Sequence, residues 1–344
     1  MQKLPKHILV IRLSAMGDVA MIVPVLRAFT RQYPDIKITV LTRKFFTPFF
    51  RDLDNVQVFH ADVKGKHKGV LGLYKLSRSL KKLKIDAVAD LHNVLRSNIL
   101  KFFFSGTKYI QIDKGRTEKK ALTSGKQFQQ LKSTHERYAE VFEQLGLKIN
   151  LLNPVFPEPH PLSDKILDSI TRDNEKRIGI APFAAFEGKA YPLDLMEQVI
   201  EEFSKSYSIL LFGGGQKEIE ILHNFEAKFE NVHSVAGKLS LDEELDVISN
   251  LDVMISMDSG NAHIAAMLGT EVITLWGVTH PFAGFYPFNQ SKENAILANR
   301  KVFPRIPTSV YGNTFPEGYQ DAIRSITPQD IITKVESITQ KSLT

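Results

Sequence analysis

HILVIRLSAMGDVAMIVPVLRAFTRQ, residues 7–32, begins as an aliphatic run and ends as a long amphipathic stretch, with a glycine at the joint. His7–Leu13 has the Ile, Val and Leu content of a buried strand, and Val19–Gln32 carries apolar residues at helical spacing. Leu13–Val19 is the loop between them, where Gly17 permits a tight turn and close backbone approach. A strand running straight into a helix is half of a βαβ unit, the building block of a parallel sheet covered by helices.

The alternation continues outward from this unit. Further strands are expected at Lys37–Leu41, Val56–Phe59, Ala87–Leu91 and Tyr109–Ile112, with helices at about Val70–Lys82, Val94–Phe103 and His135–Leu145. Lys114–Ser133 is polar, holds Gly115 and Gly125, and reads as a mobile loop. Residues 151–163, LLNPVFPEPHPLS, hold four prolines, which continue neither helix nor central strand, so the linker between two domains falls here. Strands then resume at Arg177–Ala181, Ser208–Phe212, Val232–Ser234, Val253–Ser256 and Val272–Trp276. The expected layout is an α/β protein of two Rossmann-like doubly wound domains facing a central cleft. Residues 1–155 form the first and 156–326 the second, and a terminal helix within 327–344, at about Pro328–Gln340, could pack back on the first.

Composition bounds the chemistry. The 344 residues are 43% apolar and 24% charged, as in a soluble globular protein. There is no cysteine, which excludes disulfides and thiolate chemistry and fits a reducing compartment. The early apolar run is broken by Arg12 and Asp18, unlike a signal peptide, and no run is long enough to span a bilayer, so a cytoplasmic location is expected. The net charge of +6 conceals an asymmetry: residues 1–150 hold 28 Lys and Arg against 12 Asp and Glu, the remainder 16 against 26. The basic half carries no helix-turn-helix, zinc-finger or RNP-type motif, so nucleic acid is not the expected partner. Anionic lipid headgroups or a phosphorylated or carboxylated acceptor remain.

In doubly wound folds ligands bind at the carboxyl ends of the strands, so the loops there carry the function. In the first, Asp18 stands at the start of a helix, where it either caps the helix or acts as a general base. A second, Gly213–Glu218, lets backbone approach a nucleotide at Gly214 and Gly215 and places Glu218 for ribose hydroxyls, although the same glycines could make only a turn. It is not a G-x-G-x-x-G motif, and no Walker A pattern exists, which disfavours dinucleotide oxidoreductases and P-loop kinases. The third, Asp258-Ser259-Gly260-Asn261-Ala262-His263, opens the helix Ala262–Leu268 and offers backbone amides to a diphosphate, with His263 as a further donor or a packed side chain. Lys189, amid the mostly small and apolar residues 181–192, can neutralise a departing phosphate. Asp52-Leu53-Asp54 matches a metal-holding D-x-D pattern but lies far from these loops, and no metal site is expected.

With these loops in hand the chain resembles glycosyltransferase family nine, the bacterial ADP-heptose:lipopolysaccharide heptosyltransferases. The resemblance is carried by ILVIRLSAMGDVAMIVPVLRAF, DLHNVLRSNIL, the K-x-[WY]-P step at Lys189–Pro192, Gly214 to Glu218, D-[ST]-G-x-x-H at Asp258–His263, and LWGVTHP. It implies a GT-B fold and an inverting, metal-independent transfer of heptose or a similar sugar from an ADP-sugar, with no cofactor. Asp18 is then the base, and Gly17 beside it meets the donor. Lys189 holds the donor diphosphate, Glu218 meets the ribose, the backbone near Leu239 meets the base, and Asp258, Ser259, Gly260 and His263 meet phosphates and sugar. The chain departs from the family in having Ala184 and Ala185 where Ser or Thr is common, and Tyr191 where Trp is common.

The basic first half then suits an anionic glycolipid acceptor of the Kdo-lipid A type, met peripherally at the inner face of the inner membrane. Lys64, Lys66, Arg96 and Arg116 are the leading contacts, with Lys68, Lys119 and Lys120 as others. Two other readings use the same fold: a nucleotide-sugar epimerase, which needs no acceptor, and a non-catalytic nucleotide or glycolipid binder.

Overall fold

The structure, a computed structural model, describes residues 4–164, 166, 167 and 176–341. The chain divides into two compact units, the first made of Met1–Gly115 with Lys132–Phe156, the second of Arg116–Leu131 with Pro157–Thr344. The final division falls inside the proline-rich stretch. Residues 116–131 are a departure from the expected layout: the chain leaves the first unit, packs with the second and returns.

Unit 1 is built on five parallel strands, β1 (His7–Ile11), β2 (Lys37–Thr42), β3 (Val56–His60), β4 (Ala87–Asp90) and β5 (Lys108–Gln111), in the order β3-β2-β1-β4-β5. The central strand is buried from Ile8 to Ile11, as its unbroken aliphatic run requires. Leu9 and Ile11 share a core with residues of α3 (Gly69–Lys81) and α4 (Leu95–Phe103). Ile8 and Val10 alternate to the opposite face. The helix expected over Val19–Gln32 is two, α1 (Met16–Ala20) and α2 (Ile22–Gln32). Pro24 explains the break, since it lacks an N–H and its ring crowds the carbonyl of Ala20 four residues back. α2 packs on α6 (Thr134–Gln144), with Phe29 and Phe142 rings 5.0 Å apart.

Unit 2 repeats the plan on six parallel strands, β6 (Arg177–Ala181), β7 (Ser208–Leu211), β8 (Val232–Ser234), β9 (Val253–Met257), β10 (Glu271–Trp276) and a short β11 (Ala295–Leu297), in the order β11-β10-β9-β6-β7-β8. Its helices include α7 (Leu193–Ser204), α8 (Gln216–Lys228), α9 (Leu241–Ser249), α10 (Gly260–Leu268) and α11 (Pro328–Lys341). α11, which the sequence allowed to return to the first domain, packs instead on α7. Its apolar positions Ile331 and Val335, one turn apart, join the core of unit 2.

The stretch read as a mobile loop contains a helix, α5 (Arg116–Thr123). Leu122 and Leu131 are buried against Ala283, Lys119 lies 4.0 Å over the ring of Phe285, and the Leu131 amide donates to Phe282. Phe128 packs on Phe282 and His280 and takes the Arg300 guanidinium 3.5 Å over its ring. The partners come from the segment after β10, far away in sequence, so local composition gave no sign of them.

Both sheets reverse their direction of winding at one place. Unit 1 is wound β1-β2-β3 and restarts with β4 beside β1; unit 2 is wound β6-β7-β8 and restarts with β9 beside β6. Loops leaving the two strands at such a point diverge and open a crevice at the carboxyl edge.

Candidate active site

At the switch point of unit 1 the loop after β1 holds Asp18 on the first turn of α1. Its Oδ2 accepts the Ala15 amide at 3.1 Å and lies 2.5 Å from Nη2 of Arg12. Both contacts fall on Oδ2, and Oδ1 has no partner among the described residues. The carboxylate therefore caps its helix and remains available, with 26% of its side chain exposed. Arg12 is buried and its Nη1 donates to the Leu91 carbonyl at 2.7 Å, tying the loop after β1 to the loop after β4. Burial works against the Arg12 charge, but Tyr138, Asp18 and Asp90 outweigh it and raise the pKa. Tyr138 also donates to the Asp18 backbone carbonyl at 3.2 Å. Gly17 precedes Asp18 within the same turn.

Next to Leu91 stands His92, buried, its Nδ1 without a partner and its pKa lowered to about 3, first by burial and then by the charges of Arg12 and Lys114. Neither Arg12 nor His92 was singled out from the sequence. Arg12 falls inside the strand expected over His7–Leu13 and reads as part of it, and His92 acquires its setting only when β4 pairs with β1.

The expected acceptor contacts divide. Lys64 and Lys66 lie exposed in the turn after β3, at the same carboxyl edge two strands from β1, and Arg96 is half-buried on the first turn of α4. Lys68 is exposed beside the first two. Arg116 and Lys120 are exposed and Lys119 is buried, but all three sit on α5 within unit 2, a correction to their assignment to the first domain. Asp52 and Asp54 precede β3 and so occupy the opposite, amino edge, with Asp52 3.7 Å from Arg51. No cluster of three or more His, Asp or Glu side chains capable of holding a metal occurs among the described residues.

Unit 2 places Lys189 in the loop after β6 and Asp258 in the loop after β9, and the two close its switch point. Lys189 Nζ lies 2.7 Å from Asp258 Oδ2 and donates to the Asp258 backbone carbonyl at 3.1 Å. Thr279, from LWGVTHP, donates to the same Oδ2 at 3.0 Å. The buried Asp258 thus fixes the lysine, and Thr279 is a positioning residue the motif contained without revealing its use. Gly188 permits the close approach: a Cβ there would lie 2.5 Å from Val278 and 2.7 Å from the Gly312 carbonyl oxygen. No side chain caps α10, because the Ser259 hydroxyl pairs with Ser256 at 3.1 Å, which leaves the amides of its first turn, beginning with Gly260, to an anion. His263 is buried within that turn.

After β7, Gly215 adopts φ +91, where side chains are strained, and Glu218 Oε2 accepts the Gly214 amide at 2.7 Å. Leu239 is half-buried in the loop after β8, next to the Ser240 cap of α9. Tyr191 is a core residue whose hydroxyl donates to the Ile326 carbonyl at 2.9 Å, and Ala184 packs partly on the core while Ala185 is exposed.

Two doubly wound units, each with a switch point at the carboxyl edge of its sheet, are the architecture of a GT-B protein. Glycosyltransferase family 9 (heptosyltransferase) matches residues 73–308, and the chain belongs to that family. It is a glycosyltransferase. The lipopolysaccharide core heptosyltransferase OpsX of Haemophilus influenzae is 25% identical over 288 residues, 80% of each chain. The lipopolysaccharide heptosyltransferase 1 of Campylobacter coli is 26% identical over 308 residues, 83% of this chain and 88% of that one. Among solved structures, a family 9 glycosyl transferase from Veillonella parvula superposes with a TM-score of 0.77 at 20% identity, covering 99% of both chains. E. coli ADP-heptose lps heptosyltransferase II gives 0.72 at 19%, covering 98% and 100%. E. coli heptosyltransferase WaaC with ADP-2-deoxy-2-fluoro heptose gives 0.63 at 18%, covering 96% and 99%.

Proposed function

We propose that the protein moves a heptose or similar sugar from an ADP-sugar to an anionic lipopolysaccharide inner-core acceptor, with inversion and without a metal ion, at the cytoplasmic face of the inner membrane. The observation that carries the donor half is the strand order of unit 2. Reading across β9, β6, β7 and β8, the carboxyl edge offers the uncapped α10 with Lys189, then Glu218, then the loop at Leu239. That is the order diphosphate, ribose, base. Three strand spacings cover roughly 14 Å, the reach of an extended nucleoside diphosphate. The heptosyltransferase names of the relatives support the heptose, and the WaaC structure with an ADP-heptose analogue supports adenine.

In this reading the acceptor hydroxyl gives its proton to Oδ1 of Asp18. Its oxygen then forms a bond to the anomeric carbon as the carbon–oxygen bond to the diphosphate breaks on the opposite face, inverting the centre. The leaving diphosphate gains negative charge, which Lys189 and the α10 amides meet more strongly in the transition state than in the ground state. Unit 1, with 24 Lys and Arg against 11 Asp and Glu, suits an acceptor bearing carboxylates and phosphates.

Calorimetry with ADP, UDP, GDP and CDP, each with and without EDTA, tests the donor half. Selective ADP binding indifferent to EDTA is the expected result. Preference for another nucleotide, or binding that needs a divalent ion, overturns the ADP or metal-independent part.

A further inference from the structure

Between Asp62 and Asp86 the sequence carries eight Lys and Arg and no Asp or Glu, and α4 likewise has no acidic residue. α3 and α4 lie side by side in unit 1 and keep Leu73, Leu76, Leu80 and Leu100 for the core. Their outer surface is nevertheless apolar. Leu71 on α3 is 78% exposed, and Leu95 and Phe102, two turns apart on one face of α4, are 78% and 79% exposed. Tyr74 and Phe103 join the helices with ring centroids 5.5 Å apart. Beside this pair opens a hollow of about 430 Å³, rimmed by Ser77, Arg78, Lys81 and Lys82. None of these three cations has a carboxylate partner among the described residues.

Large apolar side chains gathered on a surface mark a docking site. A protein partner is the poorer fit, because protein interfaces are depleted in lysine, and here lysines surround the apolar centre. A membrane surface suits both parts: aliphatic and aromatic side chains enter the boundary between headgroups and acyl chains while the cations meet phosphates. We infer that the outer face of α3 and α4 docks unit 1 on a membrane of anionic phospholipid, with a headgroup phosphate seated in the hollow by Arg78, Lys81 and Lys82. The inference deepens the reading of a lipid-borne acceptor and identifies the surface that meets the lipid. No helix among the described residues is long and apolar enough to cross a membrane.

The test is flotation of the full chain, without donor or acceptor, on vesicles of phosphatidylcholine mixed with phosphatidylglycerol and on vesicles of phosphatidylcholine alone. The wild type floats with the anionic vesicles and is released by salt. Arg78→Gln, Lys81→Gln and Lys82→Gln together weaken binding on the order of 100-fold. Leu71→Ser, Leu95→Ser and Phe102→Ser together weaken it about tenfold or more. Both triple variants keep the wild-type melting temperature and transfer to a delipidated, water-soluble acceptor. Equal binding to both vesicle types, wild-type flotation of either variant, or a lipid-independent dimer lost in the Ser variant overturns the inference, the last in favour of a second copy. Vesicle binding retained by a protein that transfers no sugar would instead sink the transferase reading alone.

Discussion

Lys189 and Asp258 leave strands β6 and β9 where the sheet of unit 2 changes its direction of winding, and they meet there at 2.7 Å. The pair has a structural use and, in the proposed transfer, a chemical one, which two variants separate. Lys189→Ala leaves the buried Asp258 with Thr279 alone, costing about 1–3 kcal/mol of stability. It also lowers kcat about 10²–10³-fold by removing a charge from the leaving group. Lys189→Met with Asp258→Asn removes the uncompensated charge, so the melting temperature recovers while kcat stays low. Recovery of kcat along with stability would confine Lys189 to a structural role.

Asp18 carries the proton transfer in this account, and its free Oδ1 is the atom concerned. Asp18→Asn keeps the shape and the contact with the Ala15 amide while removing the base, so kcat falls about 10²–10⁴-fold. The dissociation constant of ADP, which the proposed function assigns to unit 2, is unchanged. Near-wild-type turnover in this variant removes Asp18 from the chemistry.

His92 makes stability depend on acidity. Its pKa is lowered to about 3 in the folded chain, and unfolding returns it to the ordinary value near 6.5. Between those values the unfolded state binds a proton that the native state does not, so stability falls as pH drops below about 6.5, by at most about 1.4 kcal/mol per pH unit. His280, lowered to about 4 by burial and Arg300, acts in the same direction over a narrower window. Denaturant unfolding at several pH values between 4 and 7 checks this: His92→Gln shows a shallower decline than the wild type, and parallel declines would exonerate the imidazole.

Residues 116–131 are held by packing, and proteolysis reports it. The bonds after Lys119 and Lys120 on α5 resist trypsin under native conditions, because Lys119 is buried on Phe285 and Leu122 is buried beside it. Phe128→Ala removes a ring that packs on Phe282 and His280 beneath Arg300, and cleavage in the segment accelerates. Rapid cutting of the wild type at Lys119 would restore the mobile loop.

What the sequence made legible were the buried parallel strands, whose aliphatic runs sit in central positions, and the loops at their ends. Val253–Ser256 was readable as a strand because both its faces are buried, and Asp258–His263 stood out by following it. β11 escaped because three residues at a sheet edge carry no period. α5 escaped because, of its eight residues, only Ala121 and Leu122 are apolar, and Leu122 packs on Ala283, far along the chain. The positioning residues escaped for a related reason: Arg12, His92 and Thr279 gain meaning only from strands that become neighbours by crossover, and one sequence does not show which strands those are.

The most direct test of the central claim is a transfer assay with ADP-heptose and a Kdo-lipid A type acceptor in the presence of EDTA, following ADP release and the mass of the acceptor together. One heptose added per ADP released, no ADP without acceptor, and loss of both signals in Asp18→Asn are the expected results. ADP release without acceptor, conversion of the donor alone, or an acceptor whose mass never changes would contradict it.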